Sequence, residues 1–99
     1  MKVWRLVFSR RANADFDAIY DWVADNSSTA TAARYTARLR SFCTRLKTYP
    51  KRGEVHDDLR PGIRLIGFEK SVTVAFVVDD EHEEVRILRL LYRGQQFDE

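Results

Sequence analysis

Five arginines near the end of the chain are the residues best suited to chemistry in this sequence. They flank a Pro-Gly turn or lie in and after the last apolar segment: Arg60, Arg64, Arg86, Arg89 and Arg93. A guanidinium binds carboxylates and phosphates through paired hydrogen bonds, so these positions favour an anionic partner or substrate. Because a charge inside an apolar strand is costly to bury alone, Arg89 must either have a carboxylate partner or open onto a groove.

Other reactive groups are few. Tyr92 ends the last apolar segment and offers either a hydroxyl that moves a proton or a ring that packs at the strand end. His56 and His82 both fall in polar stretches that we interpret as solvated loops. The sequence has no Gly-rich phosphate loop and no Cys/His metal spacing, so we expect no cofactor and no metal. Cys43 is the only cysteine and is predicted to be a small buried hydrophobe.

The elements that position these residues follow from the spacing of apolar side chains. Residues 3–8 are rich in β-branched and aromatic side chains, which predicts a strand, and Ser9 is a plausible N-cap for a first helix. A second helix ends at Pro50 and carries an apolar seam spaced 3, 4, 3, 4 and 3 residues apart: Ala32, Tyr35, Leu39, Phe42, Leu46 and Tyr49. This seam predicts packing along the first helix as an antiparallel hairpin.

The second half of the chain is predicted to form a sheet. Residues 51–62 are interpreted as a loop, followed by strands over 63–68, 72–78 and 85–92. Strict alternation in the last strand would place Arg86, Leu88, Leu90 and Tyr92 on one face and Val85, Ile87, Arg89 and Leu91 on the other. The fold class is therefore predicted as α+β in the order β-α-α-β-β-β, with a helical hairpin on a small, mostly antiparallel sheet.

Length and charge limit the classes of function. The chain of 99 residues is expected to be one domain over 1–99, without a membrane span or a visible signal peptide, hence cytoplasmic. A net charge of +2 is too small for a general nucleic-acid-binding domain. Residues 28–52, however, contain seven basic and no acidic side chains, so the molecule should have a basic side.

Three stretches of the sequence resemble the RelE/ParE superfamily of bacterial toxins. They are residues 8–20 at the first helix, residues 49–53 continuing to the Leu-Arg-Pro-Gly-Ile-Arg turn at 59–64, and residues 85–95 in and after the last strand. The order of elements also matches that family, and the resemblance covers nearly the whole chain. The turn at 59–64 is similar to the ParE-like branch, whereas Tyr92 stands where ParE-like chains often have a histidine.

The resemblance implies a toxin of a type II toxin–antitoxin system. ParE-like members inhibit DNA gyrase and trap its cleaved-DNA complex, whereas RelE-like members cut messenger RNA on the ribosome. We expect gyrase to be the target; the alternatives are a ribosome-dependent ribonuclease and an inactive homologue. A convincing general base for RNA cleavage is missing from the predicted sheet, which favours action by binding.

The resemblance also implies partners and contact residues. A ParD-like or similar antitoxin should bind the toxin in a heteromeric complex, and operator DNA should be contacted only through that antitoxin. The expected partner-binding residues are Arg34, Arg38, Arg60, Arg64, Arg86 and Arg93. If the chain were a ribonuclease, the expected catalytic residues would be Arg64, Arg89 and Tyr92.

Overall fold

Two helices pack on one face of a five-stranded sheet in the computed structural model, which describes residues 2–98. The helices are α1 (Arg10–Asn26) and α2 (Thr29–Thr44), and a short 3-10 turn follows over Arg45–Lys47. The strands are β1 (Arg5–Phe8), β2 (Glu54–Val55), β3 (Arg64–Phe68), β4 (Val72–Asp79) and β5 (Glu84–Tyr92). This arrangement confirms the predicted α+β class, the helical hairpin and the order of the main elements.

The sheet is mixed and its strand order is β1-β5-β4-β3-β2. β1 runs parallel to β5, whereas the other neighbours are antiparallel. β4 lies at the centre, a position that suits its apolar character on both faces. The two-residue strand β2 falls inside 51–62, so the interpretation of that whole segment as a loop was wrong. It forms only because the edge of β3 offers it hydrogen-bonding partners, which local sequence does not reveal.

α1 begins where the sequence predicted, and α2 ends earlier than predicted. The Ser9 hydroxyl accepts a hydrogen bond from the Ala12 amide, and the Ser28 hydroxyl accepts one from the Thr31 amide, so both serines act as N-caps. α2 gives way to the 3-10 turn after Thr44, whose hydroxyl bonds back to the Arg40 carbonyl. As a result Tyr49, the last member of the predicted seam, is 63% exposed and lies outside the core.

The core lies between the hairpin and the sheet. Ala32, Leu39 and Leu46 of the seam are buried, as is Cys43, so these predictions are confirmed. Phe42 packs on the Phe68 ring of β3, with centroids 5.2 Å apart. Among residues 2–98, no helix combines the length and apolarity that a bilayer crossing requires.

A bulge in β5 alters the predicted faces of the last strand. Ala75 pairs with Arg89 and Phe76 with Ile87, so Leu88 is an extra residue that has no partner on β4. The face toward the helices therefore carries Val85, Ile87, Leu90 and Tyr92, and the opposite face carries Arg86, Arg89 and Leu91. The strict alternation predicted from the sequence was wrong because it did not allow for this residue.

Candidate functional site

Arg89 is held in a buried ion pair with Asp15 of α1. Its Nε donates to Asp15 Oδ2 at 2.8 Å and its Nη2 donates to Oδ1 at 3.1 Å, while the two side chains are only 10% and 12% exposed. The same carboxylate accepts the Leu90 amide at 2.8 Å. Hydrogen bonding to Asp15 raises the pKa of the Arg89 guanidinium above its ordinary value, so the residue stays charged.

The position of this pair follows from where β1 ends. β1 pairs with β5 only as far as Ile87, so the edge of β5 beyond that residue faces α1 instead of a neighbouring strand. Asp15 then supplies the acceptor that the Leu90 amide would otherwise lack. The pair therefore fastens α1 to the end of the sheet.

Arg89 also lines a groove, so the two alternatives left open by the sequence both hold. This arginine groove, of about 320 Å³, lies between the start of α1, β5 and the C-terminal segment. It is lined by Ser9, Arg10, Arg11, Arg60, Leu88, Arg89, Phe97 and Asp98. Asp98 lies across it and accepts hydrogen bonds from Arg11 at 3.0 Å and from Arg89 Nη1 at 3.4 Å. Four arginines and one carboxylate, that of Asp98, are among its lining residues.

The three residues predicted for a ribonuclease do not meet at one point. Arg64 pairs with Phe76 and Tyr92 pairs with Val72, so they lie on the helix-facing side but four residues apart along β4, or about 13 Å. Arg89 pairs with Ala75 and therefore lies on the opposite side. The partly buried Arg64 guanidinium is 3.4 Å from the Arg52 carbonyl.

Tyr92 belongs to an aromatic cluster at the end of the hairpin. Its ring meets Trp22 edge-on at 5.5 Å and Tyr35 at 6.4 Å. Arg93 stacks its guanidinium 4.2 Å from the Trp22 ring. Burial raises the pKa of the Tyr35 hydroxyl above its ordinary value. These contacts give Tyr92 a packing role.

The residues predicted to bind a partner are spread over the surface. Arg34 and Arg38 lie on α2; Arg38 forms an ion pair with Glu69 at 2.9 Å, which lowers the pKa of that carboxyl. Arg86 on β5 contacts Glu84 at 2.9 Å, and Arg60 lines the arginine groove. The Arg34 guanidinium lies 3.5 Å from the Thr31 hydroxyl. The structure thus places these side chains on several faces.

Sequence reasoning missed Asp15 and Glu84. Asp15 lies three residues after Ala12 and four before Ile19, which puts a carboxylate beside the apolar face of α1 and could have indicated a buried partner. Glu84 lies just before the strand predicted over 85–92, but it begins β5 and its side chain is 9% exposed. It accepts hydrogen bonds from Arg5 at 2.5 Å and from Arg86 at 2.9 Å.

Glu84 should make the fold sensitive to acid. The hydrogen bond from Arg5 holds the pKa of the Glu84 carboxyl below its usual range. A depressed folded-state pKa gives stability that is complete above the unfolded value of about 4.3 and is lost as the pH falls through the folded value. We therefore expect Tm to fall between about pH 5 and pH 3, and Glu84→Gln to lower Tm at pH 7 and make this fall smaller.

Scanning calorimetry at several pH values would measure this effect. Glu81→Gln, at an exposed turn position, changes the charge equally and should leave the pH dependence as it is. Some dependence should remain in Glu84→Gln because hydrogen bonds from His82 and Arg38 also lower the pKa values of Asp79 and Glu69. Equal pH dependence in the wild type and Glu84→Gln would contradict the role given to Glu84.

Comparisons with known proteins agree with this architecture. Toxin ParE3 of Caulobacter vibrioides is 31% identical over 87 residues, covering 88% of this chain and 84% of that protein. A chain in the structure of the chromosomal ParDE TA system from P. aeruginosa superposes with a TM-score of 0.78 at 26% identity, covering 92% of this chain and 96% of that one. A chain of the RelBE2 toxin–antitoxin complex from Mycobacterium tuberculosis has a TM-score of 0.72 at 22% identity, covering 92% and 99%, which supports the fold alone.

The family model agrees with these relatives over almost the full sequence. The model described as the ParE toxin of the type II toxin–antitoxin system, parDE, matches residues 6–97. That range includes both helices, all five strands except the first residue of β1, and every residue that lines the arginine groove except Asp98. The chain therefore belongs to the family of ParE toxins of type II toxin–antitoxin systems.

Proposed function

We propose that this chain inhibits DNA gyrase by binding to it and that a cognate antitoxin neutralises it. The observation that carries this proposal is the ParE toxin model, which matches residues 6–97. Inhibition by binding needs an intact surface, whereas nuclease action needs a general acid and base within hydrogen-bond reach of the reacting atoms. The separation of Arg64, Arg89 and Tyr92 in the sheet supports the first mode of action.

The surface of the hairpin and sheet supports an antitoxin partner. Large apolar side chains are exposed at Trp22, Tyr49, Val55 and Leu59. The α2 segment adds basic residues, Arg34 and Arg38 among them, without a neighbouring acidic run in the sequence. An antitoxin segment with apolar anchors and acidic side chains would complement both features. The P. aeruginosa relative was itself solved as a ParDE system, and we extend that pairing to this chain.

Purified gyrase provides the direct test. We expect supercoiling to be inhibited, and cleaved DNA to accumulate, when micromolar toxin freed of antitoxin is added. Tyr92→Phe should inhibit as well as the wild type, because its ring contacts are kept and no proton has to move through its hydroxyl. In cells, induction should cause DNA damage and filamentation while translation at first continues.

The opposite outcomes would assign a different target. Messages cut within codons on intact DNA, with cutting abolished by Tyr92→Phe, would favour the ribosome-dependent ribonuclease. A folded sample that neither inhibits gyrase nor traps a cleavage complex would exclude gyrase inhibition. The antitoxin is tested separately, by calorimetry with the protein encoded by the gene next to this one. Absence of binding would reject the proposed antitoxin partner.

A further inference from the structure

The arginine groove has the chemistry of an anion-binding site. Arg10, Arg11, Arg60 and Arg89 line it, and Asp98 is the one carboxylate among the described lining residues. Leu88 and Phe97 add apolar surface beside these charges. The Arg89 side chain is only 10% exposed and is fixed from behind by Asp15, so its direction is set before any ligand arrives. Such preorganisation lowers the cost of binding.

The first turn of α1 adds backbone donors to the groove. In the first intrahelical hydrogen bond, the Asn13 amide donates to the Ser9 carbonyl. The Ala12 amide donates to the Ser9 hydroxyl. The amides of Arg10 and Arg11 precede those bonds and belong to residues that line the groove. An anion there would meet guanidinium groups and amide donors together.

Asp98 occupies the place that such an anion would take. Its carboxylate bridges Arg11 at 3.0 Å and Arg89 Nη1 at 3.4 Å, and Arg11 also donates to its carbonyl at 3.2 Å. The Asp98 side chain is nevertheless 75% exposed, so water screens these contacts and their loss costs little. The Asp15 pair would persist if Asp98 left, because it uses Nε and Nη2 of Arg89.

We propose that the arginine groove binds a phosphate group and that Asp98 competes with it in cis. A phosphate carries more negative charge than a carboxylate and has enough oxygens to accept from Arg11, Arg89 and the first-turn amides at once. Four arginines line the groove, and the nearby carboxylates are Asp98 and the Asp15 behind Arg89, so positive charge remains that favours phosphate over a second carboxylate. The phosphate is either a free small ion or part of a nucleic-acid backbone.

Amide NMR titrations of the full-length chain, freed of partners, would test this assignment. Inorganic phosphate should shift the signals of residues 9–12 and the Arg89 Nε–H, and acetate at equal ionic strength should not. Asp98→Asn should tighten phosphate binding by about three- to fivefold, the range expected when one exposed carboxylate competitor is removed. Arg11→Ala should weaken binding by at least as much.

Matched variants distinguish an effect of the groove on phosphate affinity from an effect of the overall charge of the protein. Asp25→Asn and Arg34→Ala, at exposed positions on α1 and α2, make the same charge changes elsewhere and should leave the affinity within about twofold. Titration with a short DNA duplex distinguishes the two sources of phosphate. If the duplex binds at the same residues much more tightly than inorganic phosphate does, the ligand is a nucleic-acid backbone. If its affinity is no higher than that of inorganic phosphate, the ligand is the free ion. Equal effects of Asp98→Asn and Asp25→Asn, or equal binding of acetate, would overturn the proposal.

Discussion

Removing either partner of the Arg89–Asp15 pair is expected to destabilise the domain by about 3–5 kcal/mol. Asp15→Ala would leave a guanidinium that is 10% exposed with only the long contact to the exposed Asp98 carboxylate, and it would remove the acceptor of the Leu90 amide. Arg89→Ala would leave the Asp15 carboxylate buried beside β5. Because small domains are stable by only about 5–15 kcal/mol, either loss should be obvious in urea denaturation.

Two further variants make this prediction specific. Asp98→Ala removes an Arg11 and Arg89 partner that is 75% exposed, so it should cost no more than about 1 kcal/mol. The double variant Asp15→Leu/Arg89→Met should be more stable than either single alanine variant, since no buried charge is left alone. If Asp15→Ala unfolded at the same urea concentration as Asp98→Ala, the pair would have no structural role.

The Arg89–Asp15 pair also shows how far sequence reasoning reaches into the site. The apolar neighbours of Arg89 correctly required either a carboxylate or a groove. The choice of partner depended on α1 crossing the end of β5, which is a tertiary arrangement. The spacing of Asp15 between Ala12 and Ile19 was the local signal, because a carboxylate beside a helix's apolar face needs a partner.

The fold itself was largely predictable, and its departures have local causes. Apolar periodicity identifies both helices and the three long strands because each buries one face or lies at the sheet centre. The bulge at Leu88 was not predictable in this way, since it exists only as a mismatch between β5 and β4. The parallel pairing of β1 with β5 likewise depends on the hairpin returning the chain to the sheet.

The apolar seam of α2 gives the second large effect, and its members should differ sharply. Leu39 is fully buried, so Leu39→Ala removes packed atoms and leaves a cavity, which should cost about 2–5 kcal/mol. Phe42→Ala should also destabilise, through loss of its contact with Phe68 on β3. Tyr49 shares the same spacing but is 63% exposed, so Tyr49→Ala should change stability by no more than about 0.5 kcal/mol.

Thermal melts of the three variants at one pH would decide whether α2 is organised as described. The expected order of Tm is Tyr49→Ala near the wild type, and Phe42→Ala and Leu39→Ala well below it. Helical spacing alone treats the three positions alike, whereas the end of α2 at Thr44 takes Tyr49 out of the seam. A loss for Tyr49→Ala as large as that for Leu39→Ala would mean that the helix continues to Pro50 and packs along its full length.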